Sequence, residues 1–269
     1  MTMALVKIAT FNVNSVKSRL PVLKQWFDAS EGPDILCLQE TKCKDSDFPK
    51  EFFEEYGYFC TFSGMKAYNG VAVLSRIKPD ATEFGLGDGK AGDGREESEK
   101  ARVIRVRFGD LNIINAYVPQ GKEVESPEFH YKLRFFERLL SLLERDYKNT
   151  DKLLLLGDLN VAPTDIDVTH PETKENHVCF HRDVKEAFFK LISWGLVDIF
   201  RIHRPGEGEF SFWDYRVKDA LKRNIGWRID HILGTKPMAE ACLGVEVERE
   251  LRAMEKPSDH TVVVASFKL

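Results

Sequence analysis

The sequence predicts an α/β protein in which layers of β-sheet are covered by helices. Short apolar or alternating runs recur along the chain, such as residues 153–156, and they predict strands. Several of these runs are joined by hairpin turns such as Gly109-Asp110, so a purely parallel sheet is excluded. Apolar stripes with helical spacing over residues 127–143 and 183–194 predict the covering helices.

The first half of the chain is predicted to be rich in strands. A helix follows the first strand, with Leu20, Leu23 and Phe27 on its apolar side, and a short acidic helix is predicted over residues 48–57. Tyr68-Asn69-Gly70 is predicted to be a turn. The strands expected in this half are 7–12, 34–38, 58–62, 71–75, 102–108 and 111–118.

The second half carries the two long helices and three more strands. Gly195 is expected to end the helix over residues 183–194. The expected strands are 153–156, 226–233, with Asp230 inside it, and 261–267. The glycine-rich segment Gly85–Gly94 lacks the strand-to-helix context of a phosphate loop and is expected to be a flexible linker.

Length and composition are typical of one ordinary globular unit. The chain has 269 residues, of which 43% are hydrophobic and 30% charged. No repeat, composition shift or Pro/Ser linker divides it, so we expect a single domain over residues 1–269. No apolar stretch approaches the roughly 20 residues of a membrane span, and the N-terminus does not resemble a signal peptide. We therefore expect no membrane partner.

Charge and cysteine usage bear on partner and compartment. The net charge of −4 is mild evidence against a nucleic-acid partner. Residues 215–231 nevertheless hold five Arg or Lys against two Asp, a local charge of +3 that is either a binding patch or a solvated face. The five cysteines are odd in number and form no Cys-x-x-Cys pair, which favours reduced thiols in a cytosol-like compartment.

Polar side chains close several of the predicted strands. Asp158 and Asn160 follow the apolar run at 153–156, where a plain Asx turn is the alternative interpretation. An ionised carboxylate at a buried strand end needs a partner or a metal ion. The same pattern recurs at Asn12 and Asn14, Glu40, Tyr117, and Asp259 with His260, while Asp230 lies within a further strand.

These groups together suit hydrolysis of a phosphate ester. Glu40 and Asp259 offer the hard oxygen ligands that magnesium and manganese prefer. His260 beside Asp230 would form a carboxylate–imidazole pair. Asp158 and Asn160 could orient or deprotonate a water, and Asn12 and Tyr117 could hydrogen-bond an oxyanion. Taken singly, each has an ordinary structural alternative: a helix cap, a solvated strand end or a core tyrosine.

The motifs resemble a known family. They occur in order over nearly the whole chain and are similar to those of the exonuclease III family of abasic-site endonucleases, within the endonuclease/exonuclease/phosphatase superfamily. The motifs are 10–14 (TFNVN), 38–42 (LQETK), 69–76 (NGVAVLSR), 115–121 (NAYVPQG), 157–160 (GDLN), 213–216 (WDYR), 223–230 (RNIGWRID) and 258–260 (SDH). Those between Phe212 and Asp230 are the most specific to DNA repair.

The resemblance implies a four-layered α/β sandwich, with two mixed sheets packed face to face and flanked by helices. It implies a magnesium or manganese site formed by Asn12, Asn14, Glu40, Asp158, Asn160 and Asp259. It also implies that Asp158 handles a water proton while Asn160 stabilises the transition state. His260, paired with Asp230, and Tyr117 would contact the scissile phosphate.

The resemblance further implies that the substrate is double-stranded DNA with abasic sites or blocked 3' ends. The backbone would be cleaved 5' of the abasic sugar, leaving a 3'-hydroxyl, with 3'-5' exonuclease or 3'-end-trimming activity besides. Phe212, Trp227 and Ile229 would wall a pocket for the base-less sugar. The expected DNA contacts are Lys17, Arg19, Tyr68, Asn69, Lys122, Arg216, Lys222, Arg223 and Asn224. We expect a monomer in the cytoplasm, at the nucleoid or in a nucleus.

Some segments depart from the family's pattern. His177 and His181 lie in a loop where the family's usual sequence is replaced, and the segment Gly85–Gly94 is longer than expected. No long N-terminal extension precedes the first strand, so a redox or regulatory region is not expected there. Two alternatives stay open: a sibling phosphatase acting on inositol phosphate or phospholipid headgroups, and a DNA-binding relative without catalysis.

Overall fold

The computed structural model describes residues 5–89 and 96–269, and two six-stranded sheets form its centre. In the first sheet, two central strands run parallel and their neighbours are antiparallel. Its strands are β1 (Leu5–Asn12), β2 (Ile35–Gln39), β3 (Phe59–Met65), β4 (Tyr68–Ser75), β11 (Cys242–Val247) and β12 (Val263–Lys268), in the order β11-β12-β1-β2-β4-β3.

The second sheet repeats this plan, with a parallel pair at its centre and antiparallel strands on both sides. Its strands are β5 (Ala81–Phe84), β6 (Val103–Phe108), β7 (Leu111–Tyr117), β8 (Lys152–Asp158), β9 (Leu196–Asp198) and β10 (Asp230–Thr235), in the order β5-β6-β7-β8-β10-β9. The central strand β8 is buried along most of its length, as its apolar sequence predicts.

Helices cover the outer face of each sheet. Side chains from both sheets, including Ile8 and Leu154, form the core between them. A second core packs the first sheet against Leu23 and Phe27, and a third packs the second sheet against Phe136. The four-layered α/β sandwich is therefore confirmed. The helices are α1 (Val16–Ser30), α2 (Lys50–Glu55), α3 (Glu96–Lys100), α4 (Pro127–Asp146), α5 (Arg182–Trp194), α6 (Ile199–His203), α7 (Ala220–Arg223) and α8 (Lys236–Ala241).

Helix α4 shows how sequence sets a covering helix. Ser126 caps its first turn, accepting a hydrogen bond from the Phe129 backbone N–H at 3.1 Å, and Pro127 follows at the first helical position. Large apolar side chains such as Phe136 and Leu143 are fully buried, each contributing about 1.5–3 kcal/mol. Within the described ranges, none of the helices has the length and apolar character needed to cross a bilayer.

Three local predictions need correction. The turn between β3 and β4 falls at residues 66–67, and Tyr68-Asn69-Gly70 begins β4 instead. Gly70 is needed there because a Cβ atom would lie 2.0 Å from Thr41 Oγ1. The predicted strand at 226–233 begins only at Asp230, since Trp227 forms isolated bridges to Phe212 and Val168. The acidic helix predicted over 48–57 is limited to α2.

Two expectations fall partly outside the described residues. These are the linker Gly85–Gly94, of which residues 90–94 are not described, and the absence of a signal peptide, which involves residues 1–4. Residues 85–89 follow β5 without regular structure.

A buried polar network joins the two sheets near the ends of their central strands. Gln39 Nε2 donates to Thr10 Oγ1 at 3.0 Å and to Asn115 Oδ1 at 2.8 Å. Asn115 Nδ2 in turn donates to the backbone oxygens of Leu38 and Ala72. Because unpaired buried amides are costly, this network favours one alignment of the sheets and so fixes the geometry of the cleft above it.

Candidate active site

The candidate site lies where the central strands of both sheets end. The carboxyl ends of β1, β2, β7 and β8 meet at one edge of the sandwich, the usual place for a ligand site in α/β folds. Tyr117 pairs in register with Asp158, and Asp158 pairs with Asp230 at the start of antiparallel β10. Strand pairing alone therefore brings the phenol and the two carboxylates together.

Gly157 allows this approach. Its φ is +135°, and a Cβ atom there would lie 2.0 Å from the backbone oxygen of Ala116 in β7. Only glycine has no Cβ to clash at such a contact. The Gly-Asp sequence at the end of β8 thus serves the geometry that delivers Asp158 to the cleft.

Asp158 is almost completely buried and surrounded by amide donors. Asn12 Nδ2 lies 2.9 Å from its Oδ2, and the backbone N–H of Asn160 lies 2.9 Å from its Oδ1. Asn160 Nδ2 is 3.2 Å from Oδ2. Burial raises the pKa of Asp158 to about 7, although the charge of His260 opposes this. A carboxylate with this pKa is suited to accept a proton near neutral pH.

His260 and Asp230 form a buried ion pair beside Asp158. His260 Nδ1 lies 2.8 Å from Asp230 Oδ2, which also accepts a hydrogen bond from Ser211 Oγ at 2.6 Å. Burial lowers the pKa of His260, but the charge and hydrogen bond of Asp230 outweigh it and raise the pKa to about 10. The imidazole is therefore a cation at neutral pH, with Nε2 3.9 Å from Asp158 Oδ2.

A cation also lies among the oxygens of the predicted metal site. Lys42 Nζ is 2.8 Å from Glu40 Oε2 and 2.5 Å from Asn14 Oδ1. Asn14 Nδ2 donates to Asp259 Oδ1 at 2.9 Å. Although burial raises the pKa of Glu40, the charge of Lys42 lowers it overall, so Glu40 is ionised. These contacts show that the groups form a connected acidic cluster.

The donor atoms fit a hard divalent cation. Ligand atoms of Glu40, Asp158 and His260 all lie within 4.8 Å of one another. His260 is protonated and cannot ligate, which leaves carboxylate oxygens, the ligands of magnesium and manganese. Asn12 and Asn160 point N–H groups at Asp158 and so orient the acidic cluster. The residues present can hold a metal ion with Glu40 and Asp158, and Asp259 lies next to them through Asn14.

Tyr117 presents a protonated phenol to the same cluster. Burial and the nearby Glu40 carboxylate hold the pKa of Tyr117 well above its ordinary value. The Arg102 guanidinium lies 4.7 Å from the ring centroid and fixes the ring by a cation–π contact. Tyr117 can therefore donate a hydrogen bond throughout the physiological pH range.

These groups open onto a cleft of about 430 Å³. One wall is aromatic and apolar, formed by the predicted pocket residues Phe212, Trp227 and Ile229. His177 adds to this wall, because its ring packs on Trp227 with centroids 4.5 Å apart. The other lining residues are Glu40, Tyr117, Gln120, Asp158, Asn160, Cys179, Asp214, Tyr215, Arg216, Asp259 and His260.

The predicted DNA-binding residues divide into two groups. Arg216 lines the cleft with the three pocket residues. Its Nη2 lies 2.6 Å from Asp214 Oδ2, which holds the side chain in place. Asn224 accepts a hydrogen bond from Trp213 Nε1 and donates to Gly208, contacts that fix a loop. The structure does not bring the following to the cleft lining: Lys17, Arg19, Tyr68, Asn69, Lys122, Lys222, Arg223 and Asn224.

The basic stretch 215–231 keeps its positive surface charge because one of its basic residues and one of its acidic residues are both buried. Arg228 and Asp230 are both fully buried and paired within the protein. The exposed charges are the acidic Asp219 and the basic Arg216, Lys218, Lys222 and Arg223, so the surface excess is still +3.

Sequence reasoning did not assign roles to several residues of the site. Ser211 orients Asp230, Lys42 bridges Glu40 and Asn14, and Cys179 Sγ donates to Asn160 Oδ1 at 3.8 Å. The position of Lys42, two residues after Glu40, was an available signal. Ser211 and Cys179 carried none, because only tertiary contacts bring them to the site.

Comparison with known proteins agrees with this geometry. The model of the Endonuclease/Exonuclease/phosphatase family matches residues 9–260. Exodeoxyribonuclease III of Haemophilus influenzae is 34% identical over 276 residues, covering 98% of this chain and 100% of that protein.

Two solved structures share the whole fold. An AP endonuclease from Archaeoglobus fulgidus superposes with a TM-score of 0.92 at 43% identity, covering 98% of this chain and 100% of that one. A 3' phosphatase from Neisseria, solved with a product DNA hairpin, has a TM-score of 0.89 at 37% identity and the same coverage. The chain therefore belongs to the endonuclease/exonuclease/phosphatase family, in the branch that includes exodeoxyribonuclease III and AP endonucleases.

Proposed function

We propose that this protein is a metal-dependent DNA-repair phosphodiesterase that cleaves the backbone 5' of abasic sites, leaves a 3'-hydroxyl, and also trims 3' ends. The observation that carries the proposal is the convergence of Glu40, Asp158 and His260 beside an aromatic wall in one cleft. Relatives named exodeoxyribonuclease III, AP endonuclease and 3' phosphatase support the same chemistry.

In this proposal Asp158 accepts a proton from the water that attacks phosphorus. Asn160 holds the carboxylate in place through both its backbone N–H and its side-chain amide. As the water oxygen bonds to phosphorus, the bond from phosphorus to the 3'-oxygen breaks. The departing 3'-oxygen takes up a proton from solvent, so the strand upstream of the lesion leaves with a 3'-hydroxyl and the phosphate stays on the abasic sugar.

His260 and Tyr117 would stabilise the charge that develops on the phosphate oxygens. His260 supplies a cation whose orientation is fixed by Asp230 and Ser211, and Tyr117 supplies a fixed O–H donor. Preorganised donors of this kind each account for roughly 2.7–4 kcal/mol of transition-state stabilisation in well-studied enzymes.

Glu40 and Asp158, with Asp259 nearby, would hold a magnesium or manganese ion. When bound, such an ion neutralises negative charge on the phosphate and on the departing oxygen. Asn12, Asn14 and Asn160 keep the carboxylates apart and oriented by hydrogen bonds.

The aromatic wall suits a sugar without a base. Phe212, Trp227 and Ile229 offer an apolar surface, and an abasic nucleotide is the cheapest to rotate out of the duplex, because it has no base pair to lose. Exposed basic residues of 215–231 would hold the DNA backbone. We further propose a monomer in a reducing, cytosol-like compartment, consistent with five free cysteines.

A substrate panel tests the proposal. Purified protein is incubated with Mg²⁺ and four substrates: a duplex with one abasic analogue, an intact duplex, a duplex with a 3'-phosphate and an inositol phosphate. We expect rapid cleavage at the abasic analogue, release of the 3'-phosphate, and loss of both activities with a chelator. Hydrolysis of inositol phosphate alone would favour the sibling phosphatase, whereas DNA binding without cleavage would favour the DNA-binding relative without catalysis.

A further inference from the structure

Lys132 is a fully buried lysine that the proposed chemistry does not use. It lies on α4 and has no exposed surface. Its ammonium donates to three backbone oxygens: those of Asn160 and Val178 at 2.6 Å, and that of Gln120 at 3.1 Å. An ammonium has three N–H donors, so these contacts use all of them.

The three carbonyls belong to three separate segments that border the cleft. Gln120 follows β7, Asn160 follows β8, and Val178 lies between the cleft residues His177 and Cys179. These segments are irregular in structure, and only a few direct hydrogen bonds join them, such as Asn160 Nδ2 to the Val118 oxygen at 3.0 Å and Ala162 N–H to the Cys179 oxygen at 2.7 Å. Lys132 ties all three to one point on a rigid helix directly beneath the cleft.

Of the three residues, Asn160 depends most on its hydrogen bond from Lys132. Its backbone is in the left-handed conformation, with φ at +51°, which Asn adopts more readily than most residues. Its oxygen accepts from Lys132, while its N–H and side-chain amide donate to Asp158. The Lys132 ammonium therefore helps to set where the Asn160 amide meets the Asp158 carboxylate, together with the contacts of that amide to the Val118 oxygen and the Cys179 thiol.

We propose that Lys132 is a positioning residue for catalysis, which acts by holding Asn160 and the two neighbouring segments in place. A buried ammonium is costly to desolvate, and an apolar side chain would fill the same volume without that cost. What only the ammonium supplies is simultaneous attachment of three loops. The inference rests on the proposed role of Asn160 in phosphodiester hydrolysis.

The test is a double-mutant cycle on an abasic-analogue duplex with Mg²⁺. Lys132→Met matches the side chain as far as Cε but removes the ammonium and its donors, and should lower kcat by about 10- to 100-fold through misplacement of the catalytic groups, with KM changed by less than about threefold. In an Asn160→Ala background, the same change should lower kcat by a clearly smaller factor than in wild type, because the side-chain amide that Lys132 helps to position is already gone while the backbone contacts of residue 160 remain.

Leu142→Ala is the matched control. Leu142 is also fully buried on α4, but it lies further along the helix, within the apolar core. Thermal unfolding measures how much each variant is destabilised, and kcat is measured well below both transitions. Leu142→Ala should keep near-normal kcat. Equal losses of kcat in both variants, or a full additive loss in the Asn160→Ala background, would overturn the proposal.

Lys132→Gln provides a second test should Lys132→Met fail to fold. Its amide keeps two N–H donors without charge, so we expect an intermediate kcat and the same coupling to Asn160. Failure of the proposed function is distinguishable from failure of this inference. Inactive wild-type protein rejects the function, whereas active wild type, an impaired Asn160→Ala variant and an uncoupled Lys132 reject only the positioning role.

Discussion

At the scale of single residues, different hydrogen-bond partners give two similar buried side chains different tasks. Asp158 and Asp230 face each other across the β8–β10 pair and are both buried. Asp230 bonds directly to the His260 cation and to Ser211, whereas Asp158 accepts only neutral amide donors. Asp230 is therefore a fixed counter-ion, and Asp158 is free to take up a proton.

Replacing Asp158 by Asn tests the proton-accepting role. The amide nearly matches the shape of the carboxylate but cannot accept the water proton, so turnover should fall by at least about 100-fold. Steady-state cleavage of an abasic-analogue duplex measures this. Asp110→Asn, at an exposed hairpin turn, is the control and should leave turnover unchanged. Near-normal turnover in Asp158→Asn would refute the role.

The sequence predicts most of these residues, because each polar group interrupts an apolar strand pattern. Asp158 and Glu40 stand out for that reason. Lys132 does not stand out. In sequence it is one more cation of an amphipathic helix, and a lysine is seldom fully buried. Its burial depends on carbonyls from three distant segments, which no local pattern encodes.

At the scale of elements, buried ion pairs fix the irregular segments around the site. Arg228, just before β10, is fully buried, with Nε 2.6 Å from Asp167 Oδ1 and Nη2 2.8 Å from Asp198 Oδ2. Arg201 also contacts Asp167. This network ties the 161–179 segment to β9 and β10, and so supports the loop that carries His177.

Arg228→Met tests how strongly this network supports the fold. It leaves buried carboxylates without their main partner, which should cost about 3–5 kcal/mol of unfolding free energy. The control is Arg107→Met, which removes a half-exposed pair with Asp80 and should cost about 0–1 kcal/mol. Urea unfolding at neutral pH measures both. Similar small losses would show that the network is not structural.

Element boundaries were the weaker part of the sequence prediction. The turn assigned to Tyr68-Asn69-Gly70 was wrong, because Gly70 is required by close approach to Thr41 and not by a turn. The strand from Gly226 was predicted to be too long, because hydrophobic alternation continues through residues that form only isolated bridges. Both errors come from tertiary contacts that local patterns do not contain.

At the scale of the whole molecule, stability should depend on buried groups whose pKa values are shifted. His231 is fully buried, with Nε2–H donating to the Val161 oxygen and Nδ1 accepting from Arg228. Burial, together with the charge of Arg228, lowers the pKa of His231 to about 4. The neutral imidazole thus forms a hydrogen bond through each of its ring nitrogens.

His231 should therefore contribute stability that is lost in acid. The unfolded chain binds the proton at a pKa of about 6.5, so the contribution is complete above that pH and declines as pH falls towards 4, by about 3 kcal/mol in total. Unfolding free energies of wild type and His231→Gln, measured from pH 7 to 4, give the contribution of the His231 imidazole to stability. Their difference should shrink over this range; a constant difference would contradict the assignment.

The hydrophobic patterns predicted layers of sheet covered by helices, and the four-layered sandwich followed from the resemblance of motifs that span nearly the full length. Strands β5, β9 and β11 were not predicted, because they are short or lie at sheet edges. What the sequence did not contain was the alignment of the two sheets. The Gln39–Asn115 network supplies that alignment, and it depends on amides that each look like an ordinary buried polar residue.

The most direct test of the account is to map the cleavage product on a duplex containing one abasic analogue. Wild-type protein with Mg²⁺ should make a single nick immediately 5' of the analogue, and the upstream fragment should be extended by a DNA polymerase, which requires a 3'-hydroxyl. No nick with either Mg²⁺ or Mn²⁺, or a nick that leaves a 3'-phosphate, would contradict the mechanism assigned to Asp158 and His260.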